Sequence, residues 1–350
     1  MSGKPHSNYG GLPLIEVRGL GKIYEVGGLF SRKRETVRAV ADASFAIARG
    51  EVLGLVGESG SGKSTIGRLL LRLAEPTQGT IIFEGRDITH LTRRALKPLR
   101  RRMQMVFQDP FGSLNPRRTA GSILAAPLLI HFPQLSRVEC AERVAHALSM
   151  VGLAPHHMGR YPHSFSGGER QRIAIARALI VEPAFLVADE PVSALDVSIQ
   201  AQIVNLLLRV RRELGLAILF ISHDLTVVAH SADRIAVMYL GRIVEQAPTR
   251  ALFRRPRHPY TEALLSAVPV PDPLARRRRI VLQGDTASAP APTAGCAFRW
   301  RCRYAIAACA EAVPMLRAVG PDHSAACIRD DLTLDSGGRL DPSPPLETLR

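Results

Sequence analysis

A glycine-rich run with one lysine and several hydroxyl residues gives the clearest indication of chemical function in this sequence. It lies between an apolar stretch, Val52–Val56, and a helical pattern that starts at Ser64. Glycines let successive backbone N–H groups turn toward an anion, and the following helix N-terminus adds partial positive charge. This order of strand, loop and helix is typical of a loop that binds nucleotide phosphates. The run comprises Gly57, Glu58, Ser59, Gly60, Ser61, Gly62, Lys63, Ser64 and Thr65.

Within this phosphate loop, two side chains have distinct expected tasks. Lys63 is expected to reach the β- and γ-phosphates, and the Ser64 hydroxyl is expected to bind Mg²⁺. Two acidic residues then end an apolar stretch further along the chain, because Phe185–Ala188 runs directly into Asp189 and Glu190. A buried strand there would bring Asp189 to the metal ion through a bound water and Glu190 to the attacking water. Taken alone, paired acids after a strand more often form a turn or a helix cap, so this prediction depends on the phosphate loop.

His223 and Gln108 each follow another apolar stretch. His223 comes after Ile218–Ile221, and Gln108 closes Met103–Phe107. Because side chains at the carboxyl ends of parallel strands face one crevice, we predict catalytic roles for both. Gln108 could also reach Mg²⁺ or the attacking water. Neither residue would indicate a function by itself.

The elements that must position these residues follow from hydrophobic patterns. Leu14–Val17, Val37–Ile47 and Thr80–Phe83 have the character of strands, and residues of about 119–182 have helical spacing. From residue 185 onward, strand and helix patterns alternate, which predicts a largely parallel sheet covered on both sides. After about residue 248 the pattern weakens, and proline and arginine become dense.

Composition and charge limit the class of protein. A chain of 350 residues with 46% hydrophobic and 22% charged residues is typical of a globular protein. No apolar run approaches the roughly 20 residues of a membrane helix, and the N-terminus does not resemble a signal peptide, so a cytoplasmic location is expected. The net charge of +15 fits nucleic-acid binding, attraction to an anionic membrane surface or a solvated surface. Charge does not distinguish these three interpretations.

Four of the five cysteines crowd into the C-terminal segment, with gaps of five, six and seventeen residues between them. Clustered thiols in a cytoplasmic protein favour a metal over disulfides. The spacing lacks the C-x-x-C pairs of zinc ribbons, whereas four thiolates can hold an iron–sulfur cluster. An iron–sulfur cluster, zinc and free thiols therefore remain open. The residues are Cys296, Cys302, Cys309 and Cys327.

A glycine pair at the start of a helical pattern carries a family resemblance. Ser166, Gly167, Gly168 and Glu169 resemble the ABC signature motif, whose usual form is L-S-G-G-Q, with Phe165 and Glu169 as departures. The resemblance implies a P-loop NTPase of the ABC ATPase class, with a mixed sheet and a helical subdomain. Two such domains would pair head to tail, so that the signature of one contacts the γ-phosphate of ATP held by the other. It also implies that Asp196 belongs to the D-loop that couples the two sites, and that Tyr24 stacks on adenine.

Within that family, the sequence resembles the F-type ATP-binding subunit of oligopeptide/dipeptide permeases. This resemblance implies a transport-coupled ATPase, peripheral at the cytoplasmic face of the inner membrane, that uses ATP and Mg²⁺. A second ATPase subunit, two transmembrane permease subunits and, indirectly, an extracytoplasmic binding protein are the implied partners, with no nucleic acid. Some relatives carry a 4Fe-4S cluster in this C-terminal segment, and residues 111–118 are the candidate docking surface for the permeases. The stretches that carry the resemblance are Val106–Pro110, Ser113–Arg117, Tyr161–His163, Glu190–Val197, His258–Thr261 and Leu264–Pro269.

The predicted organisation has four parts. A disordered N-terminus (1–12) precedes an ABC ATPase domain (13–255) whose helical subdomain covers about 115–182. A C-terminal extension (256–335) with the cysteine cluster and a flexible tail (336–350) follow. Peptides are the expected cargo, while nickel chelates, glutathione and oligosaccharides stay open. Two other functions remain as alternatives: the ABC ATPase of a soluble multi-enzyme complex of the phosphonate-cleaving type, and a nucleic-acid-associated ABC ATPase.

Overall fold

The computed structural model describes residues 12–26, 35–268, 279–284 and 294–334. The predicted flexible tail and all but the last residue of the predicted disordered N-terminus lie outside these ranges. The chain forms two compact units. The first comprises Met1–Ala48, Val52–Thr89 and Ser222–Arg350, and the second comprises Arg49–Glu51 and His90–Ile221. No helix within the described ranges is long and apolar enough to cross a membrane.

Twelve strands and ten α-helices make up the described part of the chain. The strands are β1 (Ile15–Val26), β2 (Glu35–Ile47), β3 (Val52–Val56), β4 (Gln78–Phe83), β5 (Arg86–Asp87), β6 (Met103–Val106), β7 (Phe185–Asp189), β8 (Ala217–Ser222), β9 (Arg234–Tyr239), β10 (Arg242–Pro248), β11 (Arg317–Gly320) and β12 (His323–Ala325). The helices are α1 (Lys63–Leu70), α2 (Arg93–Arg102), α3 (Pro110–Ser113), α4 (Ala120–His131), α5 (Arg137–Met150), α6 (Gly167–Leu179), α7 (Val197–Leu214), α8 (Leu225–Ser231), α9 (Thr249–Arg254) and α10 (Pro259–Ser266).

The sheet of the first unit is mixed, with the strand order β5-β4-β1-β2-β10-β9-β3. Strands β1, β2, β4 and β5 pair antiparallel, and so do β9 and β10, whereas β3 pairs parallel with β9. The mixed sheet that the family resemblance implies is confirmed, whereas the largely parallel sheet predicted from the alternating pattern is wrong for this unit. A two-residue turn, Leu240–Gly241, joins β9 to β10, and both residues have positive φ, 43° and 79°. So short a connection can join only antiparallel strands, and this turn geometry suits their twist.

The second unit holds three parallel strands in the order β8-β7-β6. Every residue of β7 and β8 is buried, which explains why both are continuous apolar runs in the sequence. Helices α4, α5 and α6 occupy the region for which helical spacing was predicted. Each begins after a hydroxyl residue whose side chain accepts a backbone N–H bond, namely Thr119, Ser136 and Ser166.

The C-terminal segment with the cysteines is part of the first unit's core. The Phe298 ring is 2% exposed, and its centroid lies 5.2 Å from that of Tyr239 in β9 and 5.4 Å from that of Tyr260 in α10. Strand β12 pairs antiparallel with β10. Nearby, His323 Nε2 lies 2.7 Å from the buried Glu245 carboxylate. The segment is thus held to the sheet by aromatic packing, strand pairing and a buried polar contact.

Candidate functional site

The phosphate loop has the predicted order of strand, loop and helix. All of β3 is buried, and the loop leads from it into α1 at Lys63. Gly62 has a φ of 104°, and a Cβ placed there would lie 2.2 Å from the Ala39 carbonyl oxygen. Only glycine therefore fits where the chain enters the helix. Ser59 and Gly60 are exposed, whereas Ser64 and Thr65 are half-buried.

The ammonium group of Lys63 lies inside this loop. Its Nζ donates to the carbonyl oxygens of Gly57 and Glu58, both at 2.8 Å, and the residue is 5% exposed. The Ser61 carbonyl accepts from the Gly241 N–H at 2.9 Å, which ties the loop to the turn between β9 and β10. The Ser61 hydroxyl lies 3.4 Å from the same Nζ. An ammonium group that donates to neutral oxygens can exchange them for phosphate oxygens, which are stronger acceptors.

Glu58 contacts two residues that lie more than 200 positions away. Its backbone N–H donates to the Tyr260 hydroxyl at 2.8 Å. Its carboxylate accepts from Arg301 Nη1 at 2.6 Å and Nη2 at 2.9 Å, and this pair raises the pKa of Arg301. Sequence reasoning missed both partners. The only available signal was the acid itself, which is an unexpected charge in a loop predicted to bind anions.

In the second unit, the structure brings Gln108 and Glu190 together. Gln108 Nε2 donates to Glu190 Oε2 at 3.1 Å, and the Glu190 N–H donates to the Ile221 carbonyl at 3.0 Å. Asp189, which ends β7, is 4% exposed. Glu190 has a φ of 46°, a strained conformation for a residue with a side chain. Such strain persists where the surroundings impose it and is common at functional sites.

The signature segment forms a capping box at the start of α6. Glu169 Oε2 accepts from the Ser166 N–H at 2.8 Å, and Ser166 Oγ accepts from the Glu169 N–H at 3.3 Å. The Ser166 N–H lowers the pKa of Glu169, so the acid that replaces the usual glutamine is stabilised as a carboxylate. Gly168 lies so close to α7 that a Cβ there would be 2.6 Å from Ile199 Cγ2. Gly167 precedes it in the first turn of the helix.

Three other predicted residues have local roles in the structure. Asp196 caps α7, because its Oδ1 accepts from the Ile199 N–H at 2.9 Å, and this bond lowers the Asp196 pKa. His223 is exposed and follows β8. Tyr24 lies on β1, with Lys22 Nζ 4.9 Å from its ring centroid. Their predicted roles in coupling, catalysis and adenine stacking stay predictions.

The four clustered cysteines all border one cavity of about 20 Å³, and all are free thiols. That volume has room for about one water molecule. Burial raises the pKa of Cys302 to about 11 and also raises the pKa of Cys296 and Cys327. Among the described residues, no group of three or more histidine, cysteine or acidic side chains is placed to hold a metal ion. The arrangement therefore does not support the predicted 4Fe-4S cluster, although the donor set is of the right kind.

Two family models match successive parts of the chain. The model of the ABC transporter family matches residues 40–193, a range that contains the phosphate loop, Gln108, the signature segment and both acids. The model of the oligopeptide/dipeptide transporter C-terminal region matches residues 244–309, a range that contains Tyr260, Phe298 and Arg301.

Relatives along nearly the full chain have consistent descriptions. A putative peptide import ATP-binding protein of Brucella ovis is 56% identical over 320 residues, covering 91% of this chain and 99% of the relative. The oligopeptide transport ATP-binding protein AppF of Bacillus subtilis is 50% identical over 318 residues, covering 90% of this chain and 96% of the relative. These relatives give no support to the phosphonate-cleaving alternative.

Solved structures support the same fold. A dimeric ATP-binding cassette in a post-hydrolysis state with ADP and Pi matches with a TM-score of 0.61 at 29% identity, covering 67% of this chain and 99% of that one. The cbiO1 protein of Clostridium perfringens, part of an ABC transporter complex, matches with a TM-score of 0.60 at 29% identity, covering 69% of this chain and 90% of that one.

Proposed function

This chain belongs to the ATP-binding proteins of ABC transporters that carry the oligopeptide/dipeptide C-terminal region, and on that premise we propose that it powers the import of peptides. It has the P-loop ABC ATPase fold, and it is an ABC-type ATPase, for which ATP and Mg²⁺ are the general requirements. The names of its relatives support peptides, and oligopeptides in particular, as the cargo.

We assign the phosphate loop to the β- and γ-phosphates of ATP. Lys63 would exchange the carbonyls of Gly57 and Glu58 for phosphate oxygens, and the following backbone N–H groups would hold the remaining charge. Ser64 and Asp189 would hold Mg²⁺, with Asp189 acting through a water. The metal, when bound, neutralises charge that develops on the phosphate oxygens.

The hydrogen bond from Gln108 to Glu190 carries the hydrolytic assignment. It holds a carboxylate in a fixed orientation at the end of a buried strand, as a general base requires. In the proposed step, water forms a bond to the γ-phosphorus while the bond to the ADP oxygen breaks, and Glu190 receives the water proton. His223 and Asp196 would assist this step and its coupling to a second site.

The proposed assembly contains two ATPase subunits and two transmembrane permease subunits. The ATPase subunits would pair head to tail, so that Ser166–Glu169 of one contacts the γ-phosphate held by the other. A solved ABC transporter cassette to which this chain is similar is dimeric, which supports the pairing of two ATPase subunits. Residues 111–118 would dock on the permeases, and an extracytoplasmic binding protein would deliver the peptide. This assembly would hold the chain at the cytoplasmic face of the inner membrane.

Glu190→Gln in the complete transporter tests this function. The variant should bind ATP but lose hydrolysis by about 10²- to 10⁴-fold, the usual contribution of a general base, and peptide uptake should fall with it. Glu213→Gln, an exposed change on α7, is the matched control and should leave both rates unchanged. Undiminished steady-state hydrolysis by Glu190→Gln would remove this residue from its role. A wild-type transporter that hydrolyses ATP without taking up any peptide would refute the cargo.

The iron–sulfur cluster is a separate proposal, supported only by the donor set. Four thiols border one cavity, and cysteines are the usual ligands of such clusters. In this proposal the cluster holds the C-terminal segment together and carries no electrons. Protein purified without oxygen should then contain iron and sulfide in equal amounts, and colourless protein free of both would reject the cluster.

A further inference from the structure

Every polar group of Glu58 in the phosphate loop is engaged. Its N–H donates to the Tyr260 hydroxyl, its carbonyl accepts from Lys63, and its carboxylate accepts both arms of the Arg301 guanidinium. Tyr260 and Arg301 both belong to the C-terminal part of the chain. A loop that must bind a polyanion thus carries its own negative charge, and a distant arginine pairs with that charge.

The Arg301–Glu58 pair is partly protected from solvent, so the electrostatic interactions of its two charges are strong. The Arg301 side chain is 8% exposed and that of Glu58 is 28% exposed. Screening is weaker there than at an open surface, so an unpaired carboxylate in this loop would repel incoming phosphate groups more strongly. The two parallel N–H···O bonds are the strong, oriented form of this interaction, which lysine cannot reproduce.

Arg301 also has contacts outside the phosphate loop. Its N–H donates to the carbonyl of the buried Phe298 at 3.0 Å, and its Nε donates to the carbonyl of Gln283 at 3.1 Å. The guanidinium carbon lies 5.9 Å from the Tyr239 ring centroid. These contacts do not involve Glu58, and they restrict where the guanidinium can lie.

We propose that Arg301 is a positioning residue for nucleotide binding, which neutralises and orients the Glu58 carboxylate so that the ATP phosphates meet no unpaired negative charge in the loop. The inference rests on the proposed assignment of the phosphate loop to ATP. It makes the affinity for ATP depend on the C-terminal segment, although that segment contributes no group to the phosphates. Tyr260 assists by fixing the backbone of the same residue.

The test compares Arg301→Ala, Glu58→Gln and the double variant in the full-length protein. The Kd of a fluorescent ATP analogue, and the KM for ATP in the assembled transporter, should rise about tenfold in Arg301→Ala, equivalent to about 1.4 kcal/mol. The kcat should stay within about twofold, because Arg301 touches no reacting atom. Arg301→Lys should recover part of the affinity. Glu58→Gln should bind ATP at least as tightly as the wild type, and the double variant should return close to it.

Two controls separate this proposal from simpler explanations. Arg317→Ala removes another arginine of the same segment, one that pairs with Asp330 instead of the loop, and should leave the affinity for ATP unchanged. Lys63→Ala should abolish binding in the same titration. If Lys63→Ala binds ATP normally, the proposed phosphate site itself is wrong.

The remaining outcomes decide the inference alone. If Lys63→Ala loses binding while Arg301→Ala keeps it, Arg301 has no positioning role. If Glu58→Gln weakens ATP binding as much as Arg301→Ala does, and the double variant does not regain the affinity, the pair only stabilises the local structure. Should Arg301→Ala fail to fold, Glu58→Gln still decides, because weaker binding by that variant overturns the charge argument.

Discussion

Replacing Phe298 by alanine is expected to loosen the packing of the C-terminal segment (residues 294–334) on the sheet of the first unit. The ring is 2% exposed, and its centroid lies within 5.2–5.8 Å of the Tyr239, Tyr260 and His258 rings. Truncating a buried phenylalanine to alanine, which leaves a cavity, costs about 3–5 kcal/mol, and aromatic pairs add about 0.5–1.5 kcal/mol each. With three ring partners, we expect the loss of local stability to reach the upper half of the first range.

Hydrogen exchange is the suitable assay, because a chain with two compact units need not unfold in one step. Amides that close turns in the segment, such as those of Arg301 and Cys309, should exchange faster in Phe298→Ala. Trp300→Ala is the matched control, since that side chain is 77% exposed and its loss should cost less than about 0.5 kcal/mol. Equal protection in the two variants would refute the argument that Phe298 holds the segment.

Two further predictions concern packing and acid sensitivity. Gly168→Ala places a methyl group 2.6 Å from Ile199 Cγ2 and should destabilise the protein by about 1–3 kcal/mol in thermal unfolding. Gly159→Ala, whose methyl group would meet no atom within 4 Å, should not destabilise it. Equal melting temperatures of the two variants would contradict the crowding at Gly168. Burial lowers the pKa of His258 to about 3 from the ordinary 6.5, so the unfolded state binds more protons between these values and stability should fall as pH drops through that window. Urea unfolding at pH 7 and at pH 5 should show that the free energy of unfolding falls less in His258→Gln than in the wild type. An identical fall in both proteins would show that another group titrates.

Local chemistry in the sequence was sufficient to predict the phosphate loop and the strands around it. The loop needs glycines, a lysine and a helix start within a few residues, so its signal is contained in one short window. Strands β7 and β8 are buried on both faces and therefore appear as unbroken apolar runs. The Ser166 cap and its acid three residues later likewise follow a local rule.

The partners of Glu58 could not be predicted, because the contact depends on the fold of distant segments. Glu58 and Arg301 are 243 residues apart, and no local sequence pattern near either residue indicates that they are in contact. The hairpin of β9 and β10 was missed for a different reason. Its turn places Leu240 in a left-handed conformation that asparagine or glycine normally signals. The spacing of the cysteines gave their proximity but not whether the space among them admits a cluster.

The Arg301–Glu58 contact also determines how this protein can be recombined with its relatives. A chimera joined near residue 255 would take the loop from one parent and its counter-charge from the other. Such a hybrid should lose nucleotide affinity when its loop carries the acid at position 58 and its C-terminal region lacks the arginine that pairs with it. A transplanted C-terminal region without the arginine therefore has to be exchanged together with the acid at position 58.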